Sequence, residues 1–366
     1  MFSERVKSID ISGIRKMFEG AGPNAINLGL GQPDFDTPEH IKKAAIDAIN
    51  QGFTGYTANL GIPELRSALC DKFERENHFT VAPDEVIVTS GASEALHLAL
   101  SALIDKGDDV LIPDPGFVSY SALTKMAGGN VVGVPLGEAL TLEPEKVSEC
   151  ITPRTKVLII NSPSNPTGTV QTKQDIKGLA QIAEDTGITI ISDEVYEHFI
   201  YEGEHVSPAQ FTDNVITINA VSKTYAMTGW RIGYAAARKE YIEQMLKVHQ
   251  YIQACACSIA QKAALAAIEG PQDCVREMCM SFKRRRDILL DGLSAMGIKC
   301  VKPQGAFYAF PEIADENAPQ KLIKNGVIVV PGASFGENGT GHIRLAYSTS
   351  EGNLRKALGV MERVLT

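Results

Sequence analysis

Four short segments of this chain carry side chains that can act on one small molecule together. The first is Ser222-Lys223-Thr224-Tyr225-Ala226-Met227-Thr228-Gly229-Trp230-Arg231-Ile232-Gly233-Tyr234. Lys223 sits in a turn of small residues just after an apolar strand candidate at 215–219, and Arg231 follows in a Gly-flanked run. A primary amine held there can condense with an aldehyde, and a planar guanidinium can hold that aldehyde's phosphate. Ser222 can add a hydroxyl donor, whereas Trp230, the single tryptophan, reads as packing. A Ser-Lys pair alone is usually a solvated loop, so the reading rests on three companions.

The first companion, Thr89-Ser90-Gly91-Ala92-Ser93-Glu94-Ala95, follows a strand candidate and opens a helix. Gly91 permits a tight turn, and the free amides of the first helical turn, at Ala92 and Ser93, favour a phosphate. A plain helix cap by Ser90 or Ser93 is compatible with that role. The second, Asn161-Ser162-Pro163-Ser164-Asn165-Pro166-Thr167-Gly168, has two steps into proline that impose an extended, rigid turn. Asn165 can donate from it to a ring hydroxyl or a carboxylate. The third is Ser192-Asp193-Glu194-Val195-Tyr196. A buried Asp193 carboxylate opposite a pyridine nitrogen would keep that nitrogen protonated, so that the ring draws electrons from a bound substrate. Tyr196 can reach the ring's phenolic oxygen. One occupant uses all four segments: pyridoxal 5'-phosphate.

The elements that must position these residues alternate along the chain. Short β-branched runs at 86–89, 110–112, 131–134, 157–160, 189–191, 215–218 and 232–235 read as strands, several apolar on both faces. Helical patterns intervene, at 93–104 and 173–186 for example. This rhythm predicts an α/β fold with a mostly parallel sheet, whose ligands bind beyond the strands' carboxyl ends. All four segments fall there. A second region begins near Gly270-Pro271 with a long amphipathic helix through Lys283-Arg284-Arg285-Arg286, whose charges read as a solvated face. Short strands are expected around Cys300, 306–310, 327–330 and 342–345, giving a smaller α+β domain. The expected division is a large domain at 28–270 and a small one at 271–366.

Composition narrows the function. The chain has 366 residues, 44% hydrophobic and 22% charged, enough for large cores. A net charge of -9 without a basic block argues against nucleic acid as the main partner. The seven cysteines are irregularly spaced, lack a supporting His cluster and read as buried free thiols in a reducing compartment, with no metal site. No apolar signal core or membrane-length run is present, so a cytoplasmic protein is expected.

Together these motifs resemble the class I/II aminotransferases of the aspartate aminotransferase superfamily, pyridoxal phosphate enzymes of fold type I. The resemblance covers nearly the whole chain. It extends to Leu28-Gly29-Leu30-Gly31-Gln32-Pro33-Asp34-Phe35, Thr54-Gly55-Tyr56, Pro113-Asp114-Pro115-Gly116-Phe117 and His342-Ile343-Arg344-Leu345-Ala346-Tyr347. It implies a large domain with a seven-stranded sheet and an N-terminal segment, 1–27, packed with the small domain. It also implies roles: Phe117 stacks on the cofactor ring, and Arg344 clamps the substrate α-carboxylate with help from Asn165 and the Gly31 backbone. Tyr56 would reach the phosphate in the neighbouring subunit of a homodimer. The implied reaction is a ping-pong transfer of an amino group from an L-amino acid to a 2-oxo acid such as 2-oxoglutarate, with Lys223 as anchor and base.

A carbon–sulfur β-lyase shares this fold and these motifs and is the alternative. A non-catalytic regulator on the same fold is a more distant one. The amino donor is open among aspartate, alanine and aromatic amino acids. Ser93 and Glu94 stand where some aspartate enzymes have a lysine, and Arg15 and Lys16 are alternative cations for a distal carboxylate. Ala220 replaces a serine that bonds the phosphate in some members, leaving Ser222 and the helix-end amides to compensate.

Overall fold

The computed structural model describes residues 2–9, 22 and 24–366, so Arg15 and Lys16 lie outside the described residues, as does most of 10–23. Its centre is a seven-stranded sheet. Across the sheet the strands run Val86–Thr89, Gly233–Ala236, Val215–Ala220, Thr189–Asp193, Thr155–Asn161, Asp109–Asp114 and Asn130–Pro135. Gly233–Ala236 is antiparallel to both neighbours, and the other pairs are parallel.

Alternation along the central strands explains why they are apolar on both faces. Val157, Ile159, Ile191, Ile216 and Ile218 point into one core, which includes Leu96, Leu100 and Met245 of the covering helices. Leu158, Ile160, Ile190 and Val215 point into another, against Ile176, Leu179 and Ala183. Each fully buried side chain of this size contributes roughly 1.5–3 kcal/mol, so the sheet is pinned from both sides. Asn130–Pro135 forms at the expected 131–134 but differs from the central strands. It is an edge strand, and most of its residues are exposed or half-buried.

The region after Gly270 opens with the helix Asp273–Ala295, which packs against the final helix, Glu351–Leu365. A three-stranded antiparallel sheet places Ile343–Ala346 between Val330–Pro331 and Tyr308–Ala309. Ile26–Asn27 pairs in parallel with Val327–Ile328, whereas the helix Glu4–Lys7 lies against Val118–Ala127. No strand forms around Cys300. The solvated-face reading of Lys283–Arg286 is corrected as well, because Arg285 and Arg286 are buried. Arg285 donates to Asp34 at 2.6 Å, and Arg286 donates to Glu202 and to the carbonyl of Pro303. These two cations tie the long helix to distant parts of the chain. All seven cysteines are free, but Cys257 is exposed and the others half-buried, rather than fully buried as expected.

A buried polar network joins Lys72 and Asn77 to Glu194 and Glu197, just past the end of the strand Thr189–Asp193. The Lys72 ammonium donates to Glu197 and to Asn77, and Asn77 donates to Glu194 and Glu197. Burial alone would raise the Glu197 pKa, but Lys72, His198 and His205 bring it down to about 2. Among the described residues no helix is long and apolar enough to cross a membrane.

Candidate active site

The parallel strands finish along one edge of the sheet, and the site forms there. Thr89 leads into Gly91, Asp114 into Phe117, Asn161 into Asn165, Asp193 into Tyr196, and Ala220 into Lys223. Register aligns the ends, with Asn161 opposite Asp193. The antiparallel strand starts where its neighbours stop, with Gly233 opposite both Thr89 and Ala220. Its direction brings Arg231 to the same edge. The result is a cavity of about 230 Å³, lined by Ala92, Ser93, Phe117, Asn165, Asp193, Tyr196, Ser222, Lys223, Arg231, Arg344 and Gly31, among others.

Lys223 occupies a helical turn, Val221–Thr224, at the end of its strand. Its Nζ donates to the carbonyl of Gly31 at 2.8 Å. Burial, reinforced by the charges of Arg231 and Arg344, lowers its pKa to about 8, with Asp193 opposing. At neutral to mildly basic pH a sizeable fraction of this amine is therefore unprotonated and nucleophilic.

Asp193 is buried in the wall of the same cavity. Burial raises its carboxyl to about 6, although the Tyr120 hydroxyl donates to Oδ2 at 2.8 Å and the Val195 amide adds a longer bond. Among the described residues no cation is salt-bridged to it. A buried carboxylate in that condition suits a positively charged ring.

The phosphate end is built around an absent side chain. Gly91 has a φ of +80°, and a Cβ on it would lie 2.2 Å from Arg231 Nη2. A glycine here therefore admits the guanidinium, rather than only easing a turn. Gly91 itself caps the helix Ala92–Leu103 without any side-chain cap, so the amides of Ala92 and Ser93 stay available and neither Ser90 nor Ser93 caps it. Arg231 is held by its own contacts to the carbonyls of Thr228 and Ser90. Together with the Asp193 carboxyl and the Lys223 amine, this arrangement fits pyridoxal phosphate.

The far wall carries Arg344, which is almost wholly buried. Nη1 donates to Asn165 Oδ1 at 2.9 Å and Nη2 to the Gly29 carbonyl at 2.5 Å, while Nε has no partner. The guanidinium lies over the rings of Tyr308 and Phe335, at 4.7 and 4.9 Å from their centroids. A buried, stacked cation with an unused donor suits a carboxylate.

Of the site residues singled out in the sequence, Gly91 and Tyr56 do not line the cavity; Gly91 lies against Arg231 at its rim, whereas Tyr56 is 91% exposed. Trp230 donates to Thr37, consistent with a packing role. The lining residues that escaped the sequence reading include Tyr120, Asn161 and Tyr308. Asn161 was within a quoted motif, and its side chain bridges the Asp193 carbonyl and the Asn165 amide. Tyr120 follows Phe117 at helical spacing, a signal that was present but unread. Tyr308 had no local signal beyond a strand pattern.

The strand order and the cavity thus define an enzyme built to bind a phosphorylated aldehyde at a lysine. Comparison with known proteins gives the family. The profile for aminotransferase class I and II matches residues 23–361. A probable aspartate aminotransferase of Methanocaldococcus jannaschii is 50% identical over 374 residues, covering 100% of both chains. An aspartate/prephenate aminotransferase of Thermus thermophilus is 46% identical, covering 94% of this chain and 92% of its own length. The solved structure of the Thermus thermophilus aspartate aminotransferase with maleate superposes with a TM-score of 0.96 at 43% identity, with both chains fully covered. This chain belongs to the class I and II aminotransferases. It is a pyridoxal phosphate-dependent enzyme, and these relatives support amino-group transfer rather than the lyase alternative.

Proposed function

We propose that the enzyme moves the amino group of a dicarboxylic L-amino acid, aspartate foremost, to a 2-oxo acid such as 2-oxoglutarate. The observation that carries this reading is the Lys223 amine, its pKa lowered to about 8, in one cavity with Arg231 and Arg344. The aspartate preference draws on the names of the relatives and on maleate, a dicarboxylate, in the Thermus thermophilus structure.

The residues would hold the cofactor as follows. The Gly91-Ala92-Ser93 turn, Ser222 and Arg231 take the phosphate. Phe117 stacks on the ring, Asn165 and Tyr196 take the ring oxygen, and Asp193 takes the ring nitrogen. When bound, the cofactor supplies an aldehyde that condenses with amines and a cationic ring that withdraws electrons. Arg344 binds the substrate α-carboxylate, with Asn165 fixing the guanidinium and Gly31 lining the approach. That grip turns the α-hydrogen toward Lys223. Lys223 Nζ, as a free amine, accepts the α-proton and passes it on, so one residue is both anchor and base. Burial of Asp193, Tyr196 and Arg344 keeps bulk water from those groups.

The exposed Tyr56 supports a homodimer in which it completes the partner's phosphate site. A large domain at 28–270 and a small one at 271–366, with the end of the 1–27 segment joined to the latter, accord with the pairing of Ile26–Asn27 and Val327–Ile328. A cytoplasmic location fits the absence of a membrane-length apolar helix among the described residues. The test is borohydride reduction of the loaded enzyme followed by peptide mapping, then a panel of amino acids assayed with and without 2-oxoglutarate. A pyridoxyl label on Lys223 and the highest kcat/KM for aspartate are expected. A label elsewhere refutes the anchor, and a preference for alanine or aromatic donors refutes the substrate.

A further inference from the structure

Tyr308 meets three parts of the site at once. Its hydroxyl is 2.8 Å from the Tyr196 hydroxyl. Its ring faces the Arg344 guanidinium at 4.7 Å. A Cβ placed on Gly31 would lie 2.0 Å from its hydroxyl, so Tyr308 packs directly on the residue whose carbonyl receives Lys223 Nζ. The side chain is 1% exposed and lies on the strand Tyr308–Ala309, paired with Ala346, two residues from Arg344 on the neighbouring strand.

We propose that Tyr308 is a positioning residue for this reaction, acting through Tyr196 by its hydroxyl and through Arg344 by its ring. The hydroxyl argument is one of counting. A tyrosine hydroxyl has a single proton to donate. If Tyr196 gives its proton to the cofactor's ring oxygen, it must accept in its bond with Tyr308. Tyr308 is then the donor, and it orients the Tyr196 proton into the cavity. A donor that itself accepts a hydrogen bond is also polarised and donates more strongly. The ring argument is separate. Arg344 lies over the rings of both Tyr308 and Phe335, and these contacts restrain the guanidinium that receives a carboxylate.

The two halves predict different results from two substitutions. Tyr308→Phe keeps the ring and removes the hydroxyl. The midpoint of the pH-dependent visible absorbance of the loaded enzyme should rise by about half a pH unit, because a weakened Tyr196 donor no longer favours the ionised ring oxygen as strongly. The KM for the amino acid should stay within about twofold. Tyr308→Leu removes ring and hydroxyl. KM should rise about tenfold, the loss expected when one face of a desolvated cation–π pair goes. Cofactor affinity, read from quenching of the single Trp230, controls for loss of binding in both.

The inference rests on the proposed roles of Tyr196 and Arg344, so Arg344→Lys is measured alongside. If Arg344→Lys raises KM while Tyr308→Leu does not, the ring role is overturned and the carboxylate clamp stands. If Arg344→Lys also leaves KM unchanged, the clamp itself is wrong. An unmoved absorbance midpoint in Tyr308→Phe overturns the hydroxyl role, and that variant decides it even if Tyr308→Leu fails to fold.

Discussion

Replacing Asp193 by asparagine should make the cofactor-free protein more stable, although it damages the enzyme. The magnitude follows from the carboxyl's pKa, raised by burial from 3.8 to about 6. Well below pH 3.8 the group is protonated in both the folded and the unfolded chain, and it costs nothing. Between 3.8 and about 6 the unfolded chain has lost its proton while the folded chain keeps it, so stability falls as pH rises. Above about 6 the full penalty applies: about two pH units at 1.36 kcal/mol each, on the order of 3 kcal/mol. Asparagine carries no charge at any of these pH values and keeps an oxygen for the Tyr120 hydroxyl, which lies 2.8 Å from Asp193 Oδ2.

The assay is urea unfolding of cofactor-free wild type and Asp193→Asn at matched protein concentration, across about pH 4 to about pH 8. Taking the difference cancels every other titrating group. The variant's advantage should grow from pH 4 to 6 and then level off. Adding pyridoxal phosphate should reverse the order, because wild type gains a ring cation for its buried charge and the variant does not. A stability difference independent of pH would refute the argument that desolvation of this carboxylate is what the cofactor relieves.

Other outcomes follow from the same geometry. Lys223→Ala should abolish turnover and borohydride labelling while still binding the cofactor without a covalent bond; retention of the wild-type rate would remove Lys223 from the chemistry. In the cofactor-free enzyme, the reactivity of Lys223 toward an acylating reagent should rise with pH and reach half its maximum near 8, as the buried ammonium gives up its proton. Gly91→Ala would set a methyl 2.2 Å from the Arg231 guanidinium and should weaken cofactor binding at least about tenfold, read as a dissociation constant for pyridoxal phosphate. Lys72→Met leaves Glu197 buried without its ammonium and should cost about 3–5 kcal/mol in urea unfolding.

How far the sequence reached depended on where each residue's partners lie along the chain. The central strands were legible because both of their faces are buried, so an apolar run such as Val157 to Ile160 has no polar alternation to obscure it. The edge strand Asn130–Pro135 carries the same β-branched residues with less burial, and the run could not report the difference. Around Cys300 the run Ile298-Lys299-Cys300-Val301 is met by the Glu312 amide at the Lys299 carbonyl, short of the ladder a strand needs. The Lys283–Arg286 run failed for a complementary reason. A cation's burial is decided by its counter-charge, and Asp34 lies 251 residues from Arg285.

The site divides along the same line. Residues that act where a strand ends, such as Asp193 and Lys223, announce themselves because the turn chemistry is local. Arg231 needed one further fact, the reversed direction of Gly233–Ala236, which carries the start of that strand to the finish of Val86–Thr89 and Val215–Ala220. Tyr308 needed three. Its neighbours Gly31, Tyr196 and Arg344 come from three separate stretches of chain, and nothing around position 308 encodes their meeting. Residues of this second kind should be where members of one family differ while keeping the same lysine, because altering one shifts the aim of the catalytic groups without removing any of them. Tyr308 is therefore a position at which the aim of Tyr196 and Arg344 can be altered while Lys223, Asp193 and Arg231 stay in place.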